Sequence, residues 1–130
     1  MKILIMGLPN SGKTTLANIL YKELQNQNKS VLRLNADQIR KLYNDWDFSI
    51  SGRLRQATRL YNLSNNNSDF IITDFIAPLP QSREIYNPDF LIFMNTIPAS
   101  IYHNTNQIFS PPNNYNICLL YTSDAADDTP

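Results

Sequence analysis

Residues Ile3 to Met6 are all apolar and run directly into Gly7-Leu8-Pro9-Asn10-Ser11-Gly12-Lys13-Thr14, after which a helical pattern begins at once. The octet matches G-x-x-x-x-G-K-[ST] in full, and strand, loop and helix is the setting in which that spacing works. Successive backbone N–H groups of such a loop converge on a phosphate at the positive end of a helix. The lysine adds a point charge on the transferring group, and the hydroxyl of the last residue can ligate magnesium. Gly7 and Gly12 are two of only three glycines in 130 residues, so little else in the chain competes for the role of a tight phosphate turn. The candidate ATP-binding residues are therefore Gly7, Leu8, Pro9, Asn10, Ser11, Gly12, Lys13, Thr14 and Thr15, with Lys13 also a candidate catalytic residue.

The rest of the chain alternates short apolar runs with helical spacing. Strands are predicted over Lys2 to Met6, Val31 to Leu34, Phe70 to Thr73 and Phe90 to Met94, and helices over Thr14 to Gln27, Ala36 to Tyr43 and Ser49 to Leu63. Buried runs separated by helices imply a parallel sheet covered on both faces, and with the phosphate loop this is the three-layer α/β sandwich of P-loop NTPases. The length suits one domain. At 42% hydrophobic and 17% charged the composition is that of a globular chain, and no apolar run approaches a membrane span or a signal-peptide core. A soluble, cytoplasmic protein without a membrane partner is expected. Eleven basic residues balance eleven acidic ones, so no global field attracts nucleic acid and any anion must be gripped locally. The lone Cys118 allows no internal disulfide.

Candidate residues for the second substrate lie beyond the second strand. The carboxyl ends of parallel strands form the ligand crevice, so Asp37 is expected to share a cleft with Lys13 and to orient a hydroxyl or magnesium. A second reading has Asn35 or Asp37 merely capping the next helix. Arg40 lies one helical turn from Asp37. Arg53 and Gln56 share one face of the third helix, and Arg55 and Arg59 an adjoining one. Arginine offers the bidentate fork that phosphate or sulfate favours. Trp46 and Phe48 either stack on a base or pack in the core. Asp74, ending a strand, is a further magnesium candidate beside Thr14 and Asp37. The single histidine, His103, reads as a surface residue rather than a catalyst.

In this order the loop, Asn35-Ala36-Asp37-Gln38-Ile39-Arg40, Phe48-Ser49 with Arg53, and Phe75-Ile76-Ala77-Pro78 with Arg83 resemble the adenylylsulfate kinase family over residues 1 to 95. The resemblance implies transfer of the ATP γ-phosphate to the 3′-hydroxyl of adenosine 5′-phosphosulfate. It implies ATP and that nucleotide as partners, magnesium as cofactor, and an assembly compatible with a homodimer. It makes Asp37 catalytic and assigns Arg40, Phe48, Arg53, Gln56, Arg59, Ile76 and Pro78 to the second substrate, with Phe48 stacking on adenine and Arg53 holding the phosphosulfate. Asn35-Ala36 replaces the family's Asp-Gly, and Ala77 stands where some members carry serine. Beyond Asn95 the family's lid signature is absent. Asn104 to Pro112 resembles instead a variant ending of environmental and phage-like relatives. Another P-loop small-molecule or nucleoside kinase, or an inactive nucleotide-binding fragment, are the alternatives.

Cys118 to Asp128 resembles the translation of a transposon-type sequencing adapter. Residues 1–117 are accordingly expected to form a kinase domain incomplete at its C-terminus, and residues 118–130 a non-native tail whose Thr122 to Pro130 part is disordered. An acidic natural tail is the other reading. Without Asp124, Asp127 and Asp128 the remaining segment carries 11 basic against 8 acidic residues.

Overall fold

The structure is a computed structural model that describes residues 1–120. Five strands, β1 (Lys2–Gly7), β2 (Val31–Asn35), β3 (Phe70–Asp74), β4 (Phe90–Asn95) and β5 (Ile117–Leu120), form one sheet in the order β2-β3-β1-β4-β5. Every pairing is parallel: Leu4 lies opposite Thr73 on one side and Leu91 on the other. The helices are α1 (Lys13–Asn26), α2 (Ala36–Tyr43), α3 (Ile50–Leu63), α4 (Pro80–Tyr86) and α5 (His103–Ile108).

The two-residue period of β1 feeds two cores. Leu4 and Met6 point into one, shared with Leu34, Leu60, Tyr86 and Phe93 beneath α3 and α4. Ile3 and Ile5 point into the other, covered by Leu16, Ala17 and Leu20 of α1. A strand whose neighbours in sequence are all apolar is thereby buried on both faces. Helix starts follow local chemistry. Asn35 Oδ1 accepts from Gln38 N at 3.0 Å and Ser49 Oγ from Gly52 N at 3.1 Å, while Pro80 opens α4. Gly52 is needed for space, since a Cβ there would lie 2.2 Å from the carbonyl oxygen of Asp47.

Three elements were not expected from the sequence. No helix is predicted between β3 and β4, yet Pro80 is the first residue of α4, and α5 is a single polar turn and a half. β5 takes in Cys118, Leu119 and Leu120, the first residues of the presumed tail, and pairs Ile117 with Ile92 and Cys118 with Phe93. Backbone groups at a sheet edge pair with any extended apolar segment that reaches them, whatever its origin. The disorder expected of Thr122 to Pro130 falls outside the described residues.

Candidate functional site

The carboxyl ends of β1, β2 and β3 open into a cleft of about 1170 Å³. That lies at the upper end of the sizes typical of small-molecule sites, roughly 300–1,000 Å³. At one end lies the phosphate loop. Gly7 backs onto β4, where a Cβ would meet the carbonyl oxygen of Met94 at 2.7 Å, and Gly12 caps α1 at φ +96°. Asn10 also takes a left-handed conformation, at φ +67°. Thr96 Oγ1 donates to Ser11 O at 2.6 Å and Ser11 N to Leu8 O at 3.2 Å, which hold the loop's curve. Pro9, Asn10, Gly12, Lys13, Thr14 and Thr15 line the cleft, whereas Gly7, Leu8 and Ser11 shape the turn behind it.

Lys13 Nζ donates to Leu8 O at 2.9 Å, so the ammonium is folded over its own loop. Burial pulls its pKa down to about 8, against the opposing pull of Asp74 and Asp37. Thr14 Oγ1 and Asn35 Nδ2 each donate to Asp74 Oδ2 at 2.9 Å, and Arg33 pairs with the other carboxylate oxygen. Sequence reasoning missed Arg33. The available signal was a charged residue at the centre of a strand expected to be buried, which demands a buried partner. Asn35 is the cap of α2, so of the two residues proposed for that task Asp37 is released. Among the described residues its carboxylate has no hydrogen-bond or ion-pair partner, and it lines the cleft as expected.

The far end is built from three separate segments. Arg40 Nη1 donates to the carbonyls of Asp45 at 2.9 Å and Asp47 at 3.2 Å. Arg53 donates through Nε to Phe48 O at 2.9 Å and through Nη2 to Thr105 Oγ1 at 3.0 Å. Both guanidiniums lie over the Phe48 ring, 4.3 and 5.3 Å from its centroid. Burial lowers both pKa values, and for Arg53 the neighbouring Arg40 charge adds to it. The nearest carboxylate to Arg40, that of Asp45, is 4.0 Å away, because Arg55 and Arg59 already hold it. Those two arginines keep the Asp45 carboxyl well below the usual carboxylate range. Two buried positive charges satisfied mainly by carbonyl oxygens retain their attraction for an anion.

Gln56, Ile76 and Pro78 also line the cleft, and so do Trp46 and Phe48, both about half exposed, which excludes the reading that they pack in the core. Arg59 is not brought there. It stacks on Tyr43 at 4.3 Å and donates to Gln56 Oε1 at 2.8 Å and to Asp45, so it braces the cleft wall from behind. His103 is exposed and sits on the rim. Ala77, fully buried, takes a left-handed φ of +47° and receives Arg83 Nη1 on its carbonyl at 2.8 Å. Among the described residues no helix is long and apolar enough to cross a membrane.

The family model described as adenylylsulphate kinase matches residues 1–96. An adenylyl-sulfate kinase of Thermodesulfovibrio yellowstonii is 38% identical over 82 residues, covering 60% of this chain and 41% of the relative. A cytidine diphosphoramidate kinase of Campylobacter jejuni is 26% identical over 85 residues, covering 65% of this chain and 50% of the relative. The chain thus spans half or less of the length of these two relatives. Among solved structures, a Mycobacterium tuberculosis APS kinase in complex with AMPPNP and APS superposes with a TM-score of 0.73 at 22% identity, covering 98% of this chain and 93% of that one. At that identity the superposition carries the fold.

Proposed function

This chain belongs to the adenylylsulphate kinase family, and from that premise we propose that it moves the γ-phosphoryl group of ATP to the 3′-hydroxyl of adenosine 5′-phosphosulfate. The single observation that carries this choice of acceptor is the pair Arg40 and Arg53. Buried, short of carboxylate partners and converging on one aromatic ring, they make an anion site at the end of the cleft remote from Lys13. A phosphosulfate on Arg53 with its adenine against Phe48 or Trp46 directs the ribose toward the middle of the cleft, where Asp37 stands free.

Phosphoryl transfer asks a protein chiefly for positioning and charge. The loop amides and Lys13 hold the ATP phosphates, and Lys13 leaves Leu8 O to do so. Asp37 orients the attacking hydroxyl and takes its proton as the O3′–P bond forms and the bond from Pγ to the β-phosphate oxygen breaks. Thr14 and Asp74 present hard oxygen donors at the loop. Among the described residues no group of three or more His, Cys, Asp or Glu could cage a metal. The donor set therefore fits an ion that keeps waters and phosphate oxygens as its remaining ligands, as magnesium does. Magnesium, when bound, neutralises charge on the transferring phosphates.

The likeness to a cytidine diphosphoramidate kinase favours one second reading, a nucleotide acceptor with another base and another anionic end. A turnover assay with ATP and magnesium, run side by side on adenylylsulfate, cytidine diphosphoramidate, a nucleoside and a 5′-hydroxyl oligonucleotide, separates them. Adenylylsulfate is expected to react fastest. Faster phosphorylation of any other acceptor replaces this reading.

A further inference from the structure

Thr105 reaches the anion end of the cleft from the part of the chain to which the sequence assigned no chemistry. Its hydroxyl oxygen accepts from Arg53 Nη2 at 3.0 Å, both residues are about 6% exposed, and both line the cleft. A hydroxyl has one hydrogen to give and two lone pairs to receive with. Here a guanidinium occupies one lone pair, and among the described residues nothing accepts the hydrogen. A buried donor without a partner is costly to maintain unless a ligand completes it, and an arginine on the oxygen strengthens the O–H as a donor.

The position is held from several sides. Ser100 N and Oγ both donate to Asn106 Oδ1, at 2.9 and 2.7 Å, and Asn106 Nδ2 returns a bond to Ser100 O at 2.8 Å, which closes the turn that carries α5. Downstream, Phe109 stacks on Phe93 with centroids 6.1 Å apart, and Ser110 N donates to Pro78 O at 2.8 Å. Arg83 Nη1 binds Ser110 O at 2.9 Å as well as Ala77 O. Thr105 is thus a fixed part of the wall rather than the tip of a loose segment.

We propose that Thr105 is a specificity-determining residue for the second nucleotide: its hydroxyl donates to an oxygen of the anionic group that Arg53 holds, and it fixes which edge of the Arg53 guanidinium faces the ligand. This rests on the proposed acceptor site and adds to it a donor from α5. A neutral donor next to a guanidinium favours a tetrahedral anion with several acceptor oxygens over an uncharged end group.

Calorimetric titration of the full chain with adenylylsulfate and, separately, with AMPPNP tests it on the wild type, Thr105→Val, Thr105→Ser and Thr105→Ala. The valine keeps the shape and removes the hydroxyl, the serine keeps the hydroxyl, and the alanine stands in should the valine fail to fold. Thr105→Val is expected to weaken adenylylsulfate binding about tenfold or more. Thr105→Ser stays within about twofold of wild type, and AMPPNP affinity is unchanged in all. Equal adenylylsulfate affinity in wild type and Thr105→Val overturns the role of Thr105 alone, as does an equal loss for both ligands, which marks a merely structural residue. A wild-type chain that binds AMPPNP but not adenylylsulfate overturns the acceptor reading and the role of Thr105 with it.

Discussion

The two ends of the cleft are made in opposite ways. At the phosphate end the loop and its lysine come from eight consecutive residues, and their placement is a backbone property. It depends on where β1 stops, where α1 starts and how closely Gly7 can approach Met94. At the far end Arg40, Phe48, Arg53 and Thr105 come from α2, the segment before α3, α3 itself and α5, and side-chain bonds hold them in register. A site encoded locally draws its shape from one strand, turn and helix, and needs from the rest of the chain only the central strands beside it, with Met94 behind Gly7 and Asp74 beside Thr14. A site assembled from distant segments inherits the stability of every one of them, so changes far along the chain should reach it first.

The largest effect that separates the two ends is expected from Lys13→Ala. It removes the charge aimed at the transferring group, and phosphoryl transfer should fall about 10²–10³-fold or more with the fold intact. Single-turnover rates on wild type and variant check this, and unchanged turnover would show that the loop is not the reacting end. Arg53→Ala comes next. A lost hydrogen bond from a charged group costs about 1.5–3 kcal/mol, or roughly ten- to hundredfold. The loss should fall on the KM for adenylylsulfate while the KM for ATP stays within about twofold. A matching loss for ATP would mean that the two ends are one cooperative unit.

The same contrast explains what could be read before the fold was known. Strands and helices near the loop begin and end within about a residue or two of the boundaries predicted from apolar runs, because strand, turn and helix signals there are all local. Asp37 could be placed in the cleft from topology alone. Asp45 could not be found, since its value lies in gathering Arg55 and Arg59 across a loop and so leaving Arg40 and Arg53 for a ligand. The motif position of Arg59 points to the substrate, and only tertiary packing shows it turned to the back of the wall. Thr105 carries no sequence signal beyond its neighbourhood, because a threonine in a polar turn is unremarkable until the arginine it meets is known.

Removal of residues 118–130 sharpens the comparison at the level of stability. The deletion takes away three of the four positions of β5 and the Cys118 side chain, which packs against the core under α3 and α4. Leu120 and Ile117 are exposed at that edge, so the loss is modest, and a thermal midpoint lower by several degrees is expected. AMPPNP affinity should change less than adenylylsulfate affinity, because β5 supports β4 and the Phe93 to Phe109 stack that carries α5. An unchanged midpoint would show that the edge strand contributes nothing, and an equal loss of both affinities would erase the distinction between local and assembled sites.

The smallest effect concerns Lys13 alone and distinguishes the ends electrostatically. Burial depresses its pKa to about 8, below the ordinary 10.5 of a lysine. Between those two values the unfolded chain binds more protons than the folded one, so this lysine makes the protein more stable as pH rises through that window. Phosphates beside the ammonium reverse the preference and raise the pKa again. Nucleotide binding at pH 8 should therefore take up a fraction of a proton at Lys13, and a smaller one near pH 6.5. Titrations of AMPPNP in buffers of different ionisation heat measure that number directly. Lys13→Arg, which stays charged throughout, should abolish the uptake by the loop. Adenylylsulfate binding at Arg40 and Arg53 should show none at either pH, since guanidiniums do not titrate there. Proton uptake that survives in Lys13→Arg would place the titrating group elsewhere and break the assignment of a neutralisable lysine to one end and permanent charges to the other.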